Sequence, residues 1–291
     1  MTAGNPLLVE PDWLEAELDN PSVQVVDCSV GIEPRPPGPS NYPSRYREHI
    51  EARIPGASYL HMDDDLSDPA GAFPFALPTP DAVAAALQSR GIAPDKTIVL
   101  YGGDVHWATH RCWWVLNACG CHDVRLLNAT FDTWRKDARP VLSGPHSSRG
   151  LTDTRPGMTP RTHWLSTRAD VLSSLDDDSV ALVHSLSAEQ FSGRGQPFGR
   201  PGRIPGSINV PAQSLMDHDT GAFIEMGRMR EMFEQAGAND YAKLITYCGG
   251  GIAASTTFIA LTLLGYQNIS LYDGSLLEWS ADPSLPLEID G

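Results

Sequence analysis

The sequence predicts an α/β protein with two domains in tandem, each a mostly parallel sheet flanked by helices. The chain repeats a unit: EARIPGASYL at 51–60 returns as PGRIPGSINV at 201–210, 150 positions later. In both halves, short runs of almost continuously apolar residues alternate with segments of helical periodicity. Strands of this kind are buried on both faces, which is typical of a parallel sheet covered by helices.

The elements recur in the same order. Each half begins with an apolar strand, VQVVDCSV at 23–30 and SVALVHSL at 179–186. After R-I-P-G, each half predicts a helix (PDAVAAALQSRGI; GRMREMFEQAGA) and then a buried strand (KTIVLYGG; KLITYCGG). A second helix (HWATHRCWWVLNACG; IAASTTFIALTLLGY), a short strand (DVRLLNA; ISLYDGS) and a tryptophan complete each unit.

The segment between the halves, SGPHSSRGLTDTRPGMTP, is polar and rich in Pro, Gly and Ser, as surface linkers are. We therefore expect an N-terminal domain at 1–144, a linker at 145–160 and a C-terminal domain at 161–291.

Composition limits the classes of function. The 291 residues are 41% hydrophobic, which suits a globular protein, and no apolar run approaches membrane-spanning length. The N-terminal residues lack the basic and apolar regions of a secretory signal, so a cytoplasmic location and no membrane partner are expected. The formal charge of −15 argues against nucleic acid as a partner. An anionic substrate would need local cations or backbone N–H groups.

The cysteines do not suggest disulfides or metal. There are five, and this odd number in a large chain argues against a disulfide framework. Cys119 and Cys121 have no second pair at zinc-site spacing, so no metal site is predicted.

One cysteine has a distinctive setting, ITYCGGGIAAS at 245–255, where a strand ends at Cys248 and a helix follows three glycines. Ligands of open parallel sheets bind at the carboxyl ends of the strands. Glycines allow a tight loop whose N–H groups surround an anion, and the helix N-terminus adds positive potential. Both effects favour a reactive thiolate. We expect the cradle to be formed by Gly249, Gly250, Gly251, Ile252 and Ala253.

Two points qualify this interpretation. A single cysteine before a glycine-rich turn also fits a purely structural role. In addition, the repeat places Gly102 opposite Cys248, so only the second half carries the thiol. The first half then serves as scaffold or as one wall of a cleft.

Several segments resemble the tandem-domain rhodanese family, the thiosulfate and 3-mercaptopyruvate sulfurtransferases. They are RIPGASYLHMDDDLSDP and the stretch 111–141 in the first half, and GRIPGSINVP, ITYCGGGIAAS and LYDGSLLEWSADPSLPLE in the second. The resemblance implies an inactive first domain and a catalytic second one. In it, Cys248 would take a sulfane sulfur from a small-molecule donor as a persulfide and pass it to a thiophilic acceptor. It also implies that no metal or organic cofactor is needed.

The chain departs from the family at the positions that bind anions. Thiosulfate enzymes of the family carry basic residues after the cysteine, and mercaptopyruvate enzymes carry Ser or Thr two residues after it. Here Gly249 and Gly250 take those places. The family strand D-x-R, with another Arg four residues on, is replaced by His184, Ser185 and Leu186, followed by Gln190. The cations that would hold an anionic substrate are therefore missing.

Other side chains nearby are candidates to replace these missing cations. The insertion FSGRGQPFGRPGRIPG contains Arg194, Arg200 and Arg203, which would either bind substrate or be solvated. His184 is either a satisfied core histidine or a base or ion-pair partner for Cys248. Ser255 is expected to cap or pack its helix. Asp273, followed by glycine, is expected to have a structural role in a turn.

Three functions stay open. The first is a sulfurtransferase acting through Cys248 on an unusual donor. The second is a repurposed enzyme that uses Cys248, with His184, for another small-molecule reaction in a specialised biosynthetic pathway. The third is a non-catalytic binding module with a vestigial thiol. The tandem arrangement already provides an internal pseudo-dimer, which is compatible with a monomer.

Overall fold

The computed structural model describes residues 7–36, 38–145, 158–195 and 198–290. Within this part of the chain, two five-stranded sheets have the strand orders β1-β5-β4-β2-β3 and β6-β10-β9-β7-β8. Every neighbouring pair of strands is parallel. The two orders are the same when the strands are counted from the start of each half. The predicted fold class, two α/β units in tandem, is confirmed.

The first unit contains β1 (Leu8–Val9), α1 (Pro11–Ala16), β2 (Val23–Asp27), α2 (Tyr46–Glu51), β3 (Ser58–Tyr59), α3 (Pro80–Ser89), β4 (Thr97–Tyr101), α4 (His106–Ala118), β5 (Asp123–Leu127) and α5 (Phe131–Lys136). The second contains β6 (Leu165–Ser166), α6 (Arg168–Ser174), β7 (Val180–His184), α7 (Ala188–Phe191), β8 (Ile208–Asn209), α8 (Met226–Gln235), β9 (Lys243–Tyr247), α9 (Ile252–Leu263), β10 (Ile269–Tyr272) and α10 (Ser275–Trp279). Short 3₁₀ helices lie at Thr162–Trp164, Ala212–Leu215 and Ala238–Asp240.

Helices α4 and α9 pack between the two sheets. Each residue of α4 from Ala108 to its end is buried, as is most of α9, because these helices are enclosed by protein on all sides. His110 Nδ1 lies 2.9 Å from Thr256 Oγ1 across this contact. The apolar side chains of both helices belong to one hydrophobic cluster, so the two halves share a central core.

The outer faces of the sheets are covered by two smaller clusters, which contain Trp134 and Trp279. Both indoles are fully buried. Each donates its N–H to a proline carbonyl, Pro140 O and Pro286 O, at 2.8 Å. The repeat seen in the sequence therefore extends to individual hydrogen bonds.

Strand pairing shows which residues are equivalent. Asp27 pairs with Tyr101 at the end of β2, and His184 pairs with Tyr247 at the end of β7. The Asp27 carboxylate accepts a hydrogen bond from the Tyr101 hydroxyl at 3.1 Å and lies 2.8 Å from His49 Nδ1. His184 thus occupies the place of a carboxylate that is hydrogen-bonded in the first half.

Most of the predicted linker lies outside the described residues, so the domain boundaries stay a prediction. No helix in the part of the chain that the structure describes is long and apolar enough to cross a membrane. The five cysteines are buried and free.

Candidate active site

Cys248 lies directly after β9, at the carboxyl end of a central strand, and α9 begins four residues later. The residue is only 2% exposed, yet it lines a cavity of about 230 Å³ between the two halves. Phe75 and Trp107 from the first half and Leu186 and Phe198 from the second also line this cavity. The predicted strand-end position is present, and the first half forms one wall of a cleft.

The loop after Cys248 is held by Ser275, which sequence reasoning missed. Its hydroxyl accepts hydrogen bonds from the backbone N–H groups of Cys248 (3.1 Å) and Gly251 (3.2 Å), and donates one to Tyr272 O (2.8 Å). Ser275 has φ +49°, in the left-handed region that non-glycine residues seldom adopt. The sequence signal for this role is a serine directly after Asp273 and Gly274. The left-handed backbone of Ser275 places its hydroxyl under the loop.

Two carbonyls of the loop are also fixed, since Cys248 O accepts from Leu276 N at 3.1 Å and Gly249 O from Leu277 N at 2.8 Å. Of the five N–H groups expected to surround the sulfur, that of Gly251 is already bonded to Ser275. Donation to the sulfur by Gly249, Gly250, Ile252 and Ala253 stays a prediction; all four line the cavity.

The glycines of the loop are closely packed. A Cβ at Gly249 would lie 2.5 Å from the Phe198 ring, and one at Gly250 would lie 2.8 Å from Leu277 Cδ1. Gly251 has φ +77°, and a Cβ there would lie 2.9 Å from Asp273 O. A side chain at Gly249 or Gly250 would therefore require Phe198 or Leu277 to move, whereas Gly251 is constrained by the backbone.

The described residues around the cavity include no arginine or lysine. Leu186 and Gln190, which stand where the family pattern described above has arginines, both line the cavity. A substrate at Cys248 would therefore meet neutral polar groups and aromatic rings rather than guanidinium groups.

Three polar side chains of the cavity lie outside the set predicted from sequence. Burial raises the pKa of Tyr42 to about 12, and a hydrogen bond with the Trp107 indole opposes this shift. Ser185 Oγ and His106 Nε2 are buried and have no hydrogen-bond partner among the described residues. Burial lowers the pKa of His106. Tyr42 and His106 belong to the first half, so they reach the thiol only through tertiary packing.

His184 is not brought to Cys248. It is completely buried and packs edge-on against Phe191 (5.4 Å) and Tyr247 (5.1 Å), with Nδ1 3.3 Å from Asn209 Nδ2. Tyr247 belongs to the outer core cluster and Cys248 to the central one, because successive residues of a strand face opposite sides. Burial, with a further contribution from the charge of Arg203, lowers the pKa of His184 to about 3. This placement supports the core role and gives no support to a base role.

The arginines of the insertion hold other parts of the chain. The guanidinium of Arg200 donates to the carbonyls of Ser280, Asp282 and Leu285 at 2.8–3.1 Å. Arg203 lies 4.3 Å above the Phe191 ring and donates to Asp290 Oδ1 at 2.8 Å. Arg194 is exposed. None of the three lines the cavity, so the structure does not support their expected contact with substrate.

Ser255 and Asp273 have structural contacts. The Ser255 hydroxyl donates to Gly251 O at 3.0 Å, within the first turn of α9. Asp273 forms an ion pair with Arg111 Nη2 at 2.7 Å, which joins the second half to α4 of the first. Arg111 also donates to Phe75 O at 2.6 Å. This interdomain contact lies beside the cysteine loop and was not expected from sequence.

The fold and the site together define a two-unit parallel α/β protein with one cysteine at a strand end, in a loop that leads into a helix. A family model, the rhodanese-like domain, matches residues 10–137 and 167–282. The chain therefore belongs to the rhodanese family, in its two-domain form.

Relatives match along nearly the whole chain. The 3-mercaptopyruvate sulfurtransferase of Escherichia coli K12 is 27% identical over 283 residues, covering 96% of this chain and 97% of the relative. A putative thiosulfate sulfurtransferase of Mycobacterium tuberculosis H37Rv is 31% identical over 300 residues, covering 97% and 98%. The crystal structure of SseA from Escherichia coli superposes with a TM-score of 0.80 at 25% identity, covering 93% and 98%. These names support sulfur transfer at the level of the family.

Proposed function

We propose that this protein is a sulfurtransferase that carries a sulfane sulfur on Cys248 from a small donor to a nucleophilic acceptor. The observation that carries the proposal is the position of the thiol. Cys248 lines a cavity at the carboxyl end of a central strand, and the equivalent position of the first half is Gly102. Ligands of parallel sheets bind at this edge.

The chemistry balances at sulfur. In the first step the Cys248 thiolate attacks the outer sulfur of the donor, the donor's bond to that sulfur breaks, and its electron pair leaves with the rest of the donor. In the second step the acceptor attacks the outer sulfur of the persulfide, and the electron pair of the broken S–S bond returns to Cys248. Neither step requires an external oxidant or reductant.

The surrounding chain would position these groups. Ser275 fixes the backbone on both sides of the glycines, so the loop keeps one shape through both steps. The N-terminus of α9 favours negative charge on the outer sulfur. The aromatic walls limit access of water, which protects the persulfide from side reactions.

A second candidate is another thiol-dependent reaction on a small molecule. It is favoured by the replacement of the expected arginines with Leu186 and Gln190 in the cavity. The second candidate predicts rapid alkylation of Cys248 without sulfur uptake from any standard donor.

Intact mass after incubation with thiosulfate, mercaptopyruvate or polysulfide tests the first proposal. We expect a gain of one sulfur atom from at least one donor, weakest with thiosulfate, because the cation cluster is absent. The gain should vanish in Cys248→Ser and persist in Cys28→Ser, a fully buried control. No adduct from any donor, or an adduct that survives in Cys248→Ser, contradicts the proposal.

A further inference from the structure

We infer that the cavity at Cys248 accepts an aromatic sulfur donor or acceptor that carries no negatively charged group other than its reacting sulfur. The role of this compound as a sulfur substrate rests on the proposed function, but its binding does not. Two features of the cavity support the inference: its charges and its rings.

The charge of the cavity is unfavourable for anions. No arginine or lysine is found among its described lining residues. Arg200 and Arg203 are bonded to carbonyls and carboxylates elsewhere. The chain as a whole has a formal charge of −15, which repels anions at a distance. A carboxylate or sulfonate that entered would lose its hydration without gaining a cationic partner.

The walls of the cavity are aromatic. Tyr42 and Phe75 meet edge to face, with ring centroids 5.6 Å apart, and Trp107 lies beside His106 at 5.2 Å. On the opposite side, the Phe198 ring packs directly on Gly249, the residue after the thiol. Aromatic faces bind other rings and cationic groups, since both interact favourably with the π electrons. A flat ring would thus be held close to the sulfur.

Two residues that line the cavity, Ser185 and His106, carry polar atoms without a hydrogen-bond partner among the residues described. These atoms, Ser185 Oγ and His106 Nε2, are buried beneath the cavity surface, so the selection of a ligand rests on the charges and the rings. The compound that fits is an aromatic one whose other groups are neutral or cationic.

Three benzyl thiols that differ only in the para substituent test this inference: methyl, trimethylammonium and carboxylate. Each thiolate attacks the outer sulfur of the loaded Cys248 persulfide, the S–S bond breaks, and a benzyl persulfide leaves. Rates are divided by those measured with glutathione persulfide, to remove differences in intrinsic reactivity. We expect the methyl and trimethylammonium compounds to react at least about tenfold faster than the carboxylate.

A variant that restores a cation should change this preference. Leu186→Arg places a guanidinium at the cavity, and we expect the carboxylate to gain at least about tenfold relative to the methyl compound. Leu172→Arg introduces the same charge on the exposed surface of α6, where Leu172 is 46% exposed, and should leave the ratio unchanged.

A binding measurement separates this inference from the proposed function. Cys248→Ser is titrated calorimetrically with the corresponding benzyl alcohols, which cannot react. Tighter binding of the methyl and trimethylammonium alcohols than of the carboxylate supports the inference even when no persulfide forms in the wild-type protein. Equal or tighter binding of the carboxylate overturns it, whatever the result for sulfur transfer.

Discussion

Breaking the buried ion pair between Arg111 and Asp273 should strongly destabilise the protein. The two side chains are 1% and 6% exposed, and Nη2 lies 2.7 Å from the carboxylate oxygen Oδ1. The guanidinium also lies 4.8 Å from the centre of the Trp114 ring, and the other carboxylate oxygen accepts from Leu77 N at 2.7 Å. The pair therefore joins the two halves where both side chains are buried.

Replacing Arg111 by Met keeps most of the side-chain volume but leaves a buried carboxylate without its cation. Removing one partner of a buried pair costs about 3–5 kcal/mol. In domains of this size each 1 kcal/mol shifts the midpoint of thermal unfolding by about 2–4 °C, so Arg111→Met should lower it by roughly 6–20 °C. An exposed pair contributes at most about 1 kcal/mol, which makes Arg228→Met a suitable control. Arg228 lies 3.3 Å from Glu231, with both side chains more than half exposed.

The assay is thermal and urea unfolding followed by tryptophan fluorescence, for the wild type, both single variants and Arg111→Met/Asp273→Asn. The double variant should recover most of the loss, because no charge is buried and the amide oxygen still accepts from Leu77 N. The reasoning is refuted if Arg111→Met is as stable as Arg228→Met, or if the double variant is less stable than Arg111→Met alone.

Two further predictions concern Ser275 and His184. Ser275→Ala removes the hydroxyl that holds Cys248 N and Gly251 N, so we expect a loss of about 1–3 kcal/mol and slower alkylation of Cys248. Alkylation and stability indistinguishable from those of Ser174→Ala, a variant in α6 far from the loop in sequence, would contradict this. Burial lowers the pKa of His184 from 6.5 to about 3, so the folded state binds fewer protons than the unfolded state, and stability falls as pH drops below about 6.5. Between pH 7 and pH 5, His184 should account for about 2 kcal/mol of the decrease in the free energy of unfolding. Urea unfolding should therefore show a smaller decrease in His184→Gln than in the wild type. Equal decreases in the two would refute this prediction.

The fold was predictable because its signals are local or repeated. Apolar strands alternate with helical segments, and R-I-P-G marks the same point in each unit. The strand-end position of Cys248 follows from the same pattern, since the apolar run of β9 ends at Tyr247 and glycines follow. These features depend on neighbouring residues, which the sequence displays directly.

The walls of the cavity could not be predicted in the same way. Tyr42 and His106 reach Cys248 only because α4 and α9 pack together, and no local pattern encodes that contact. The partners of Arg200 and Arg203 could not be predicted either, because both side chains donate to carbonyls and carboxylates of the C-terminal segment, far away in the sequence.

The placement of His184 is a different case, because the face of a strand can be worked out by counting. His184 pairs with Tyr247, and the next residue, Cys248, points to the other side of the sheet. Once this register is known, the alternation of side chains is sufficient to separate the imidazole from the thiol.

The cavity is divided between the two halves of the chain. Cys248, Leu186 and Phe198 lie on the second repeat, whereas Tyr42, Phe75 and Trp107 lie on the first. The wall that carries no nucleophile can therefore be redesigned to alter substrate preference, with the reacting loop left intact. A fragment consisting of the second repeat alone would lose this aromatic wall and keep only part of the cavity.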